Sequence, residues 1–321
     1  MQVLVFGGNG FIGANLVRWL AGNSGMKVRV FHRPESSLTH LRCLDVERIA
    51  GELTDEARIT EALVGCDRVF NLAGCGSNAK DHARQRIAVN VEGAERVARL
   101  ARHAGIRLVH VSSIATVGRP KPGQISDESA PFNMEADHYA LTKHQGEQAV
   151  LHECTQGLDA VIACPGNVVG GFAMKAGQKN NFLAISAGKM LVYPPGGVCL
   201  TDIDDLIPGL WLCGEKGTTG RRYILGGENV PYPDYFREIA IATKGRPPPI
   251  RLPATLLPLL GWSVETAFTL LGRNPPLTHE AAEMISRDIY YSSRRAQEEL
   301  GYTIGDWRQA VAKAARTVCG L

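Results

Sequence analysis

Four apolar residues, Val3–Phe6, run directly into Gly7-Gly8-Asn9-Gly10-Phe11-Ile12-Gly13, and the next eight residues continue in a helical pattern. A strand that turns into a helix through glycines at Gly7, Gly10 and Gly13 can fold in few ways. Glycine at these places permits a tight turn, lets backbone N–H groups approach a pyrophosphate, and lets the helix pack close to the strand. The N-terminus of the helix then faces negative charge. The context, strand before and helix after, gives this spacing its meaning.

The alternation continues. Apolar runs at Val28–Phe31, Val46–Ala50, Arg68–Leu72, Leu108–Val111 and Ala160–Ala163 predict strands. Helical spacing at Phe11–Ala21, Ile59–Leu63, Arg84–His103 and Tyr139–His152 predicts the helices between them. Near-continuous apolar strands separated by helices imply a parallel sheet covered on both faces. The expected fold is α/β, a Rossmann-type doubly wound parallel sheet. After about residue 165 proline and glycine become frequent, as in Pro194-Pro195-Gly196-Gly197 and Pro247-Pro248-Pro249. The expected organisation is a dinucleotide-binding domain over 1–165. A smaller, mostly helical substrate-binding region follows over 166–321, with a strand at Arg222–Leu225 returning to the sheet.

The 321 residues carry 35 Lys plus Arg against 32 Asp plus Glu, a net charge of +3. That is too small a charge to imply nucleic-acid binding. The eight cysteines are scattered, with no Cys-x-x-Cys, which speaks against zinc or a disulfide framework and for reduced thiols in a cytoplasmic enzyme. The apolar start is too short for a signal peptide. The most apolar stretch, Leu252–Leu271, contains Pro253, Pro258, Gly261 and Glu265 and makes a poor membrane span. It is expected to wall or cover a ligand pocket, or to form the core of the smaller region, and it could lie on a membrane surface.

Tyr139 and Lys143 are four residues apart and share a helical face. A nearby ammonium stabilises phenolate, which makes Tyr139 a candidate general acid or base. Ser113, in Val111-Ser112-Ser113 at the end of the fifth strand, lies where parallel strands converge on a ligand crevice. Its hydroxyl can hydrogen-bond a substrate oxygen. At the end of the second strand, Phe31-His32-Arg33 places a cation where an acid would bind ribose hydroxyls. Arg33 can pair with a 2′-phosphate, so the expected cofactor is NADP(H). Ser36 and Ser37 add hydroxyls. His138 is read as peripheral, Cys164 as a small buried residue, and Arg221-Arg222 as a solvated pair in a turn. Asp202, Asp204 and Asp205 look like a carboxylate cluster.

Together these marks resemble the extended short-chain dehydrogenase/reductases, the NAD-dependent epimerase/dehydratase superfamily. Gly51-Glu52-Leu53, Asn71-Leu72-Ala73-Gly74, Asn90-Val91-Glu92-Gly93, Pro165-Gly166-Asn167-Val168-Val169-Gly170 and Tyr291-Ser292-Ser293 extend the likeness over most of the chain. Pro194–Asp205 and Tyr223–Asn229 are most similar to the dihydroflavonol-4-reductase-like, 3β-hydroxysteroid-dehydrogenase-like and hopanoid-associated branch. The resemblance implies that Ser113 orients the substrate oxygen, Tyr139 exchanges the proton, and Lys143 holds the nicotinamide ribose and tunes Tyr139. It implies further cofactor contacts at Gly7, Gly10, Phe11, Ile12, Gly13, Glu52, Leu53, Ala73, Gly74, Pro165 and Val168. Asn90 supports the packing behind the site, and the last Asp of the 202–205 loop fixes chain geometry, so no metal is expected. Relatives dimerise through two long helices, which here would be 84–103 and 139–152.

Three activities compete. One is an NADP(H)-dependent reductase of a ketone, or dehydrogenase of the alcohol. The second is a nucleotide-sugar epimerase or dehydratase with tightly bound cofactor. The third is a silent NADP sensor, which the intact Ser113/Tyr139/Lys143 set opposes. Relatives acting on nucleotide sugars carry an arginine before the late Asp loop. Val198–Asp205 has neither Arg nor Lys, so a diphosphate would lack a charge-assisted partner. The reading preferred is the reductase, with a hydrophobic or aromatic small molecule as substrate.

Overall fold

The computed structural model describes residues 1–76, 82–174, 176–273, 275 and 277–320. The first half alternates as the sequence predicts. In order come β1 Gln2–Phe6, α1 Phe11–Ala21, β2 Lys27–His32, β3 Glu47–Ala50, α2 Glu56–Leu63 and β4 Arg68–Asn71. α3 Ala83–Ile87, a π-helical turn Ala88–Glu92 and α4 Gly93–His103 form one continuous helical rod. β5 Arg107–Val111, α5 His138–Thr155 and β6 Ala160–Pro165 complete the half.

These strands and one from later in the chain make a seven-stranded sheet, parallel throughout, in the order β10-β6-β5-β4-β1-β2-β3, where β10 is Arg222–Leu225. Both faces are covered, which is why the strands read as unbroken apolar runs. On one face Val3, Val5, Val30, Val109 and Val161 pack with residues of α1 and of α7, Ile203–Lys216. On the other Leu4, Phe6, Val69, Leu108 and Ile162 pack with α2, α4 and α5. Burying one such side chain contributes roughly 1.5–3 kcal/mol. The strand order reverses between β1 and β4, and a crevice opens at their carboxyl ends.

The remainder holds more sheet than the sequence indicates. β7 Asn167–Val169, β9 Gly197–Asp202, β11 Glu228–Pro231 and β13 Asp288–Ile289 form a second sheet around β9. β8 Val192–Tyr193 pairs with β12 Ile250–Arg251 in a short ribbon. Helices still predominate: α6 Ala176–Ser186, α8 Tyr232–Thr243, α9 Leu256–Leu270, α10 His279–Ile285 and α11 Trp307–Cys319. α6, α8, α11 and β9 share a third core around Phe182, Val198, Phe236 and Trp307.

Candidate active site

The glycine turn is as tight as its spacing requires. Gly7 has φ +73°, and a Cβ there would lie 2.7 Å from the Leu72 carbonyl group. A Cβ at Gly13 would sit 2.2 Å from the Gly7 oxygen. Neither position admits a side chain. Beside the turn lies a cleft of about 440 Å³ lined by Gly7, Gly10, Arg33, Ser36, Glu52, Leu53, Ala73 and Gly74. Phe31 and Val89 add apolar lining beside the glycines, and Arg33 is exposed. A dinucleotide fits such a cradle: amides and the α1 N-terminus for phosphate, a cation at the far end. Gly13 lines no part of the cleft and instead lets α1 approach the turn.

A second cavity, of about 660 Å³, adjoins the other end of the glycine turn through Phe11 and Ile12. Ser113, Tyr139, Pro165 and Val168 line it. Each is set by its element. Ser113 follows β5 in extended conformation and caps a short 3₁₀ turn, its Oγ accepting the Ala115 N–H at 3.2 Å. Asp137 caps α5, accepting the N–H groups of Tyr139 and Ala140 at 2.9 Å each. Tyr139 therefore stands at the first turn of the helix, directed to the cavity.

Burial raises the Tyr139 phenol above the ordinary tyrosine range, and a hydrogen bond with Ser113 opposes the rise. This corrects the expectation that Lys143 sets the phenol low. Lys143 is buried, and its Nζ donates to the Val111 carbonyl at 2.7 Å rather than lining the cavity. Burial lowers the ammonium to about 8, with the Glu147 carboxylate acting in the opposite direction. In this state Tyr139 is held protonated, the form that can donate to a carbonyl oxygen.

Glu147 is the residue that sequence reasoning missed. It lies one turn after Lys143 and is fully buried. Its Oε2 accepts hydrogen bonds from Ser112 Oγ and Thr116 Oγ1, both at 2.7 Å. Its Oε1 accepts from Arg222 Nε. Arg222 is thus the buried carboxylate's counter-ion on β10, and not the solvated turn residue expected; Arg221 is the exposed one, paired with Glu299 at 2.6 Å. The pair lies 75 positions apart in the chain, beyond the reach of any local pattern.

Asn90 occupies the π-helical turn. Its Oδ1 accepts from Cys75 N–H at 2.8 Å, and its Nδ2 donates to Cys75 O and Thr142 Oγ1 at 3.1 Å each. One side chain therefore ties the segment after β4 to α5. A π turn moves a residue out of helical register, often at a functional site. Gly146 allows the contact: a Cβ there would lie 1.8 Å from the Asn90 carbonyl oxygen.

The walls of the second cavity are Ile114, Met134, Val198, Met284, Ile285 and Ile289, with Asn167, Gln178 and Asn181 as polar points. Among the described residues no Arg or Lys lines it. Gln178 donates to Val168 O at 2.7 Å while its Oε1 is buried without a partner among the described residues. A ligand hydroxyl would satisfy it. No residue of 252–271 lines the cavity, which corrects the expected wall or lid. Nor is that segment core: within α9 only Leu257 and Gly261 are buried.

His138 is exposed at the start of α5. Cys164 is buried, and burial raises its thiol well above the usual range, which makes it a poor nucleophile. Asp202 caps α7 through Asp204 N–H at 3.0 Å and pairs with Lys313, which also binds Asp204 at 2.6 Å. Asp205 accepts the Gly305 N–H at 2.8 Å. These carboxylates are occupied in holding the chain.

The NAD dependent epimerase/dehydratase family matches residues 3–226. A putative dihydroflavonol 4-reductase of Synechocystis sp. is 32% identical over 97% of this chain and 92% of its own. Sterol demethylase protein B of Methylococcus capsulatus is 31% identical, covering 98% and 97%. The crystal structure of gox2253 superposes with a TM-score of 0.87 at 30% identity, covering 98% of this chain and 97% of that one.

Proposed function

This chain belongs to the NAD dependent epimerase/dehydratase family, and we propose that it is an NADP(H)-dependent oxidoreductase reducing a ketone, or oxidising the alcohol, on a hydrophobic or aromatic small molecule. The observation that carries this reading is the cavity beside Tyr139, with its apolar walls and no Arg or Lys among its described residues. A nucleotide sugar would bury a diphosphate there without a charge-assisted partner. The names of two relatives, a dihydroflavonol reductase and a sterol demethylase protein, accord with a greasy substrate.

In this reading the residues 1–165 bind cofactor and 166–321 mainly substrate, with β10 returned to the first sheet. Gly7, Gly10, Phe11, Ile12, Gly13, Glu52, Leu53, Ala73, Gly74, Pro165 and Val168 shape the cofactor's bed, and Arg33 pairs with its 2′-phosphate. A bound nicotinamide supplies the hydride. Ser113 Oγ donates to the ketone oxygen and orients it. Tyr139 delivers its proton to that oxygen as the alkoxide forms. Lys143, with two donors left beyond its bond to Val111 O, holds the nicotinamide ribose and stabilises the phenolate left behind. Glu147 and Arg222 hold the floor beneath. A cytoplasmic homodimer through the helical segments 84–103 and 139–152 belongs to the same reading.

The family also contains epimerases and dehydratases. A panel of ketones of increasing size with NADPH, followed by loss of cofactor absorbance, tests the proposal. Net NADPH oxidation with bulky apolar ketones is the expected result. Conversion of a nucleotide sugar without net oxidation overturns it.

A further inference from the structure

α9 has the surface of a helix that is not meant to meet water. From Leu256 to Leu270 its only charged residue is Glu265, whose carboxylate accepts the His279 N–H at 2.9 Å. One side packs on α10, where a Cβ at Gly261 would come within 2.6 Å of the Ala282 methyl. The other side exposes Leu256, Leu259, Leu260, Trp262 and Leu270, with Leu271 following; Trp262 is 62% exposed and Leu270 83%. Two of the exposed hydroxyls on this helix bond back to its own carbonyls. Ser263 donates to Leu259 O and Thr266 to Trp262 O, both at 2.8 Å, so each hydroxyl proton is used within the helix. The β8/β12 ribbon that leads into α9 adds exposed Leu191, Val192 and Ile250.

The chain on either side of α9 is cationic. Between 244 and 273 the chain carries Lys244, Arg246, Arg251 and Arg273, all exposed, against Glu265 alone. Exposed Lys189 stands just before the ribbon. None of these five forms an ion pair with a described residue.

We propose that α9 and the ribbon seat the protein on an anionic lipid surface, the helix lying in the plane of the interface. Leucines and Trp262 enter the boundary between headgroups and acyl chains, and the arginines meet lipid phosphates. The seat is interfacial: no helix among the described residues is long and apolar enough to cross a membrane. A second copy of the chain is the competing occupant, and charge decides against it. A two-fold contact would set these cations against one another with Glu265 as the one acid between 244 and 273 to oppose them, whereas anionic headgroups complement them. α10 lies between α9 and the cavity, which it lines through Ala281, Met284 and Ile285.

The test is co-sedimentation of the full chain with vesicles of phosphatidylcholine alone and of phosphatidylcholine and phosphatidylglycerol in equal parts. The expected result is binding to the mixed vesicles, weakened by salt, with a blue shift of tryptophan emission that Trp262→Phe removes. Leu259→Ser with Leu270→Ser should weaken partition at least tenfold, and each of Arg251→Ala and Arg273→Ala about fivefold, with nicotinamide-cofactor binding unchanged in all. The proposal is overturned by absence of binding to mixed vesicles, or by binding indifferent to these substitutions. A solution dimer that Leu259→Ser with Leu270→Ser dissociates would equally overturn it, in favour of self-association.

Discussion

The division of labour at the site follows from what each side chain touches. Tyr139 faces the cavity and is held protonated by burial, whereas Lys143 lies beneath on the Val111 carbonyl. Tyr139→Phe keeps the ring and removes the proton, so turnover should fall by about 10²-fold or more while cofactor still binds. Near-parental activity would assign the proton to another group. Lys143 carries a pH dependence of known sign. Its ammonium titrates near 8 in the folded chain against an ordinary 10.5. Charge is therefore lost as pH rises past about 8, and kcat/KM should fall on that limb. Between pH 8 and 10.5 the unfolded chain binds more protons than the folded one, so this group makes stability rise with pH across that window. The Glu147 carboxylate raises Lys143, so Glu147→Gln should move the alkaline limb of kcat/KM to lower pH; a limb that stays in place would show that Glu147 acts only in packing. Arg222→Ala leaves Glu147 buried without its counter-ion and should cost roughly 3–5 kcal/mol of stability, read by denaturant unfolding. Ser113, Tyr139, Lys143 and the glycines were legible in the sequence because each depends on a short local pattern. Glu147, Arg222 and Gln178 were not, because their partners come from other elements.

Among elements, the contact of α5 with the π-helical turn fixes the helix that carries Tyr139. Gly146 lets the two backbones meet, and Thr142 takes the Asn90 hydrogen bond. Gly146→Ala must separate them, with an expected loss of roughly 1–3 kcal/mol typical of overpacking and a larger fall in kcat than in cofactor affinity. Retention of both kcat and melting temperature would show that the contact yields without consequence. The strands of the first sheet were visible in the sequence because burial on both faces demands unbroken apolar runs. The second sheet was hidden for the opposite reason. β13 and β7 are two and three residues long, too short for any period, and β9 finds its partners far away along the chain. The apolar segment 252–271 misled through composition alone: leucines identify a surface that avoids water without saying which side it faces. Met284→Ala should therefore alter KM for large ketones more than for small ones. Leu259→Ser should leave the KM of both unchanged in the absence of lipid, and a size-dependent change there would return α9 to the cavity wall.

Across the whole molecule, the crevice divides into a glycine-rich cleft and a largely apolar cavity. Arg33 lines the glycine-rich cleft, so Arg33→Asp should reverse or abolish a preference for NADPH over NADH. The apolar cavity is made by side chains drawn from both halves of the chain, and there the sequence left reductase and epimerase open. The two differ in the fate of the hydride. A single turnover with NADPH deuterated at the transferring C4 position, in the presence of a bulky ketone, separates them most directly. The account predicts deuterium on the carbinol carbon of the product, with one oxidised cofactor per alcohol formed. Conversion of a nucleotide sugar with the cofactor returned to its starting oxidation state, and no ketone consumed, would contradict it.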